Sequence, residues 1–143
     1  GVGIKIGEHV LVGRGTIVST RGGQVALENA VNISSYCRIA TQTRIEIGES
    51  VLIAAYVYIG CGNHTVDDLS TPMIEQVIHR GSGIRIGTNA WIGTHSTVLD
   101  GVTIGENAVV GAHSLVNNDV PANAIVAGIP ARMIRMRGEE NKA

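Results

Sequence analysis

The sequence predicts an all-β solenoid, in which short strands wind into a triangular prism of stacked coils. Three observations carry this prediction. Aliphatic residues recur every six positions through most of the chain. The 143 residues include nineteen glycines and no phenylalanine. Aromatic residues make up 3% while 44% of residues are hydrophobic, so the interior must be filled by Ile, Val and Ala rather than by rings. Branched side chains of this kind favour strands.

The elements follow in order. Ile6, Val12 and Val18 form a first run, and Leu27, Ile33, Ile39 and Ile45 a second. Ile47, Ile53 and Ile59 form a third, and Ile86, Ile92, Val98, Ile104, Val110 and Val116 a fourth. A period of six fits neither an amphipathic helix nor a long alternating strand. It describes a short strand and a turn, repeated. Three such units close one coil of eighteen residues, and stacking buries what a single unit cannot. Two positions before each aliphatic residue stands a small or β-branched one, such as Val10, Val31, Cys37, Val51, Val57, Ala90, Ser96, Val102 or Ala108. Glycine often follows the aliphatic position, as at Gly7, Gly87 and Gly111, and permits a turn or close backbone approach. A β-sandwich would also have many short strands, but would not keep one strict period across different loops.

The pattern breaks in three places. Ser19–Ala26 form an insert whose Arg21-Gly22-Gly23 reads as a corner loop, and a two-residue slip separates Ile45 from Ile47. A stretch of about 61–84 matches no repeat. Loops of that length inside a compact domain are usually functional or disordered. The repeat ends after Val120-Pro121, leaving a C-terminal arm of about 122–143, in which Ala131–Gly138 reads as a short helix or arm capping the prism. The whole of 1–143 reads as one domain by length.

Eleven basic against twelve acidic residues leave no electrostatic footprint for nucleic acid or an anionic membrane. No apolar run is long enough for a transmembrane span or a secretory h-region. The chain begins at Gly1, so an initiator or longer N-terminal segment is expected to precede it. Cys37 and Cys61 form no CxxC spacing, and a reducing cytoplasm is the expected compartment. The sequons at Asn32 and Asn63 would matter only in a secreted protein.

Several residues could carry chemistry. His64, in Gly62-Asn63-His64 at the mouth of the interruption, would be a solvated loop histidine by default. Cys61 lies three residues away and invites a Cys/His nucleophile, whereas Cys37 occupies an inward slot. His95 and His113 are eighteen apart and should stack on adjacent coils, with His79 as a third conceivable ligand. His9, His95 and His113 share one turn position, where polar residues are expected anyway. Asp67 and Asp68 could orient an imidazole or bind acceptor hydroxyls, and Glu75 and Gln76 could reach a neighbouring subunit.

The segment from Ile86 to Arg135, with its Asp119-Val120-Pro121, Ala127-Gly128-Ile129-Pro130 and Ala131-Arg132-Met133-Ile134-Arg135 signatures, resembles the hexapeptide-repeat O-acetyltransferases. These include galactoside and maltose acetyltransferases and polysaccharide-modifying enzymes, and the likeness covers nearly the whole chain. The resemblance implies a left-handed parallel β-helix and a direct acetyl transfer from acetyl-coenzyme A to a sugar hydroxyl, with no metal required. It makes His64 the general base, a role that an imidazole suits near neutral pH. Trp91 matches a tryptophan near the acetyl group and acceptor. Thr94 and Ala112 match positions along the pantetheine arm, and Arg132 and Arg135 match basic residues near the coenzyme phosphates. Asn117 and Asn118 match coenzyme-binding positions where many relatives carry Thr-Lys, and without the lysine a lower affinity for the coenzyme is expected. Asp67 and Asp68 fall in the polysaccharide-modifying branch's loop and are expected to meet the carbohydrate acceptor. The family further implies a homotrimer with sites at subunit interfaces. N-acetylation of an amino sugar or xenobiotic is the alternative within the fold. A zinc enzyme like the prism-shaped gamma-class carbonic anhydrases is another, although the His-x4-His pair of that group is absent. A scaffold with a decayed site is a third, which the intact His64, Trp91 and C-terminal motif disfavour.

Overall fold

The computed structural model describes residues 2–139. The chain winds as five coils, each with one strand on each of three faces. Coil one holds β1 (Gly3–Ile6), β2 (Leu11–Val12) and β3 (Ile17–Thr20), and coil two holds β4 (Gln24–Leu27), β5 (Asn32–Ile33) and β6 (Arg38–Thr41). Coil three holds β7 (Arg44–Ile47), β8 (Leu52–Ile53) and β9 (Tyr58–Gly60). The interruption contributes β10 (Asn63–His64), a 3-10 turn at Met73–Glu75, and β11 (Ile78–His79). Coil four holds β12 (Ile84–Ile86), β13 (Trp91–Ile92) and β14 (Thr97–Val98), and coil five β15 (Thr103–Ile104), β16 (Val109–Val110) and β17 (Leu115–Val116). Two strands close the end, β18 (Ala124–Gly128) and β19 (Ala131–Met136).

Within the five coils, strands pair only with their counterparts in the coils above and below. The first face runs β1-β4-β7-β12-β15, the third face β3-β6-β9-β14-β17, and the second from β2 through β5, β8, β13 and β16 to β18 and β19. All these pairings are parallel except β18 with β19. The hexad residues stack inward. Ile33, Ile53, Ile92 and Val110 line the second face, and Ile39, Ile59, Val98 and Val116 the third, all buried. The small residues two positions earlier fill the corners, again buried from Val31 through Ala108. Where such a slot is polar, its hydrogen bonds are made inside. Ser96 and Ser114 both donate to the Gly111 carbonyl, at 2.9 and 2.7 Å.

Four details differ from the sequence reading. Ile6 and Val12 are hexad residues yet 58% and 46% exposed, because no rung lies beneath coil one among the described residues. Of the 19–26 insert only Arg21–Gly23 turn a corner; Ser19 and Thr20 prolong β3, and Gln24 to Ala26 belong to β4. Ile45 and Ile47 lie on one strand and both point inward, so the two extra residues sit at the preceding corner, Gln42-Thr43. Ala131–Met136 form a strand and not a helix. The open edge of β18 offers unpaired backbone donors and acceptors, and that demand overrides local propensity. β18 itself pairs in parallel with β16, so the stack continues into 124–128 and the arm begins only at Ala131.

Candidate functional site

The non-repeating segment leaves the prism after β9 and returns before β12. Its base is a short ladder in which Asn63 pairs with His79 and His64 with Ile78. Inside the loop Gln76, only 6% exposed, ties the turns together. Its amide donates to the carbonyls of Asp68 and Thr71 at 2.5 and 2.9 Å, and its oxygen accepts from the Thr65 hydroxyl at 3.0 Å. Gln76 therefore faces the loop's own interior instead of reaching outward. Asp68 is also engaged locally. One oxygen accepts from the Ser70 amide and hydroxyl, at 2.8 and 2.6 Å, and the other from the Thr71 hydroxyl at 2.5 Å. The Ser70 hydroxyl bond, followed by the other local donors, holds its pKa down to about 2. Asp67 and Glu75 stay exposed.

The return of the loop is locked by a residue that sequence reasoning missed. Asp100, on the corner after β14, accepts from the backbone amides of Ser82 and Gly83, each at 2.9 Å. Gly81 beside it adopts φ +94, and a β-carbon there would strike the carboxylate.

His64 is half-buried and lines a cavity of about 270 Å3 on the third face, where it meets the corner toward the first. Its backbone amide donates to Asn63 Oδ1 at 3.0 Å, while its ring atom Nδ1 is buried with no hydrogen-bond partner among the described residues. Leaving a buried polar atom unsatisfied costs roughly 1–3 kcal/mol, and such orphans concentrate at sites with a functional reason for them. Arg21, Arg38, Tyr58 and Cys61 line the same cavity. None but Cys61 was singled out from sequence. Arg38 and Tyr58 each precede an inward isoleucine, so their outward orientation was legible. Their nearness to His64 depends on the extra residues at the corners.

Burial pushes the Cys61 thiol up to about 11. A thiol held protonated is a poor nucleophile, which disfavours the Cys/His reading. The buried Cys37 donates to the Ala54 carbonyl at 3.1 Å.

The residues matched to the coenzyme lie elsewhere on the same chain. Trp91 projects from the second face, 49% exposed, in register with Leu52 and Val109. Thr94 and Ala112 occupy the next edge on successive coils, as a spacing of eighteen requires; the amide of His113 donates to the Thr94 carbonyl at 2.9 Å. The Thr94 hydroxyl donates to the Ala55 carbonyl at 2.7 Å. Asn117 and Asn118 lie exposed beyond β17, where Asn118 donates to Asn117 at 3.2 Å. Arg132 and Arg135 stand on β19, and Arg135 already donates to the carbonyls of Met136 and Glu139. One chain thus places His64 on the third face and Trp91 on the second. It does not bring them into one pocket.

His95 and His113 stack face to face, with ring centroids 4.7 Å apart and planes 7° from parallel. Tyr56 and Tyr36 continue the same column. Parallel stacked imidazoles do not converge on a metal, and no group of three or more ligating side chains occurs among the described residues. His9 shares their positive φ but sits on the preceding edge.

Comparison with known proteins follows the same lines. Residues 83–118 match the family described as bacterial transferase hexapeptide (six repeats). The chain is 34% identical over 146 residues to an Escherichia coli K12 protein named as a lipopolysaccharide biosynthesis O-acetyl transferase, covering 97% of this chain and 74% of that one. It is 38% identical over 102 residues to galactoside O-acetyltransferase of Escherichia coli K12, covering 68% of this chain and 47% of that one. A solved galactoside acetyltransferase in complex with coenzyme A superposes with a TM-score of 0.79 at 30% identity, over 92% of this chain and 64% of its own. The chain therefore spans about three quarters of the first relative and about half of the second. The shared architecture is the left-handed parallel β-helix. No helix among the described residues is long and apolar enough to cross a membrane.

Proposed function

The chain belongs to the hexapeptide-repeat acyltransferases, and on that premise we propose that it moves an acetyl group from acetyl-coenzyme A to a sugar hydroxyl, with His64 as general base. The observation that carries the assignment is the buried, unpartnered Nδ1 of His64 beside a cavity at the mouth of the loop. The imidazole removes the hydroxyl proton as the oxygen attacks the thioester carbonyl. The tetrahedral intermediate then expels the thiolate, and the imidazolium returns the proton to sulfur. The ester forms, the thioester breaks, and no acyl-enzyme or metal enters the sequence.

Trp91 is assigned to the acetyl end and acceptor, and Thr94 with Ala112 to the pantetheine arm, because they form one outward track along neighbouring coils. Arg132 and Arg135, each of which also donates to a nearby backbone carbonyl, are assigned to the phosphates, together with Asn117 and Asn118. Asp67 is assigned to acceptor hydroxyls. Asp68 would act there mainly by shaping the loop.

The separation of His64 from Trp91 supports a trimer. The outward side of the first face is charged, with Lys5, Arg44, Glu46 and Arg85. The second face presents Leu11, Leu52 and Trp91, all exposed. Packing the second face of one protomer on the third face of the next would unite the two halves of the site. A contact between two different surfaces closes into a ring when the rotation permits. The relative named for lipopolysaccharide biosynthesis supports an acceptor in surface-glycan assembly.

The test is release of coenzyme A thiol from acetyl-coenzyme A in the presence of sugar acceptors. His64→Ala should lower kcat by roughly 10²–10⁴-fold and keep its fold by circular dichroism and its affinity for coenzyme A. Transfer at the wild-type rate by the folded variant would remove His64 from the mechanism.

A further inference from the structure

The cavity that holds His64 has a chemical character that a neutral sugar does not need. Arg21 and Arg38 both line it, and no aspartate or glutamate does. Neither guanidinium has an ion-pair or hydrogen-bond partner among the described residues, whereas Arg44 and Arg85 on the first face share Glu46. The carboxylate near Cys61 is Asp100, and it is occupied by the amides of Ser82 and Gly83. The cavity that His64 lines therefore carries two positive charges with no acidic partner among the described residues.

Both arginines are held on rigid backbone. Arg38 stands on β6 between Ile17 and Tyr58. Arg21 begins the adjacent corner, its amide donating to the Thr41 carbonyl at 3.0 Å. Arg38 is in register with Ile17 and Thr20 with Thr41, so Arg21 lies one rung away and four residues along the strand direction from Arg38, about 13 Å, a span that two long side chains can close on one anionic sugar. Tyr58 lies one rung above Arg38, with its ring over Gly60, and offers an aromatic surface and a hydroxyl. A cavity of about 270 Å3 accommodates a single sugar unit.

We propose that the acceptor is an anionic sugar, whose carboxylate or phosphate is held by Arg21 and Arg38 while a hydroxyl faces His64. Guanidinium groups bind both anions in paired, charge-assisted hydrogen bonds. The inference rests on the acetyl-transfer reading only for the bound molecule's role as acceptor; the binding site stands on the cavity itself.

Titration calorimetry separates the two. Methyl glucuronide, glucose 1-phosphate and methyl glucoside are each titrated into the wild type and into Arg21→Gln/Arg38→Gln, with coenzyme A titrated in parallel. The expected result is that one or both charged sugars bind the wild type at least tenfold more tightly than methyl glucoside, and that the double variant removes this difference. The carboxylate and phosphate arms identify which anion is preferred. Equal binding of charged and neutral sugars by the wild type overturns the proposal. So does a double variant that keeps the difference, or one that loses coenzyme A affinity instead, which would place the two arginines at the coenzyme phosphates. Absence of coenzyme A binding by the wild type would count against acetyl transfer while leaving the sugar comparison readable.

Discussion

Replacing Asp100 with alanine should release the loop that carries His64 without melting the prism. Two backbone amides, those of Ser82 and Gly83, donate to this carboxylate. Hydrogen bonds to a charged group contribute about 1.5–3 kcal/mol each, and partial exposure of the corner argues for the lower end. The pair then holds the loop exit by about 3 kcal/mol, which is roughly a hundredfold in the opening equilibrium. Opening stays local, because β12 remains paired to both β7 and β15. Amide hydrogen exchange under native conditions reads this directly. Ser82 and Gly83 should exchange roughly a hundredfold faster in Asp100→Ala, while Thr97, bonded to the Ser114 carbonyl at 2.8 Å, should not change. Acetyl transfer should fall, though less than in His64→Ala, since the base is displaced for part of the time and not removed. Unchanged exchange at Ser82 and Gly83 would refute the lock. Acceleration spread evenly over the prism would show that Asp100 supports the whole fold instead.

Two further outcomes follow from the geometry. Leu52→Glu places a charge beside Trp91 on the second face, so light scattering should report smaller particles than the wild type with an unaltered circular dichroism spectrum; an unchanged mass would exclude that face from the interface. Cys61, with its thiol raised to about 11, should react with iodoacetamide at pH 8 on the order of a hundredfold more slowly than an ordinary free thiol, and Cys61→Ser should retain acetyl transfer. Rapid labelling of native Cys61, or loss of transfer in the serine variant, would restore a role for the thiol.

The interior was readable because burial imposes a repeating rule on it. Ile33, Ile53 and Ile92 must point inward for any coil to hold, and their spacing announces it. The rule weakens at the ends, where Ile6 and Val12 keep the pattern without the cover. It says nothing about the loop, whose order comes from single polar side chains. Gln76 bonds to carbonyls five and eight residues away, and Asp68 to hydroxyls two and three residues on. No periodicity marks such contacts. His64 was legible as the mouth of an interruption and by resemblance. Arg21, Arg38 and Asp100 were not, because each acts across coils whose offset is visible only once the corners are counted correctly.

That counting shows how a repetitive fold makes an irregular site. From the first face to the second, and from the second to the third, the inward residues stay six apart in every coil, as in Leu27, Ile33 and Ile39, or Ile86, Ile92 and Val98. Only the third edge varies. There the steps run from Val18 to Leu27, Ile39 to Ile47, Ile59 to Ile86, Val98 to Ile104 and Val116 to Val120. Every departure from the period falls on one edge, so two faces stay flat for packing while the third corner gains the material for chemistry. Arg21 belongs to the first of these steps, Gln42 to the second and His64 to the third, and all three line one cavity. Asp100 stands on the next, regular step, and there it anchors the chain that the preceding step released. Because these insertions share one edge, stacking of the coils brings their side chains together on one side of the prism.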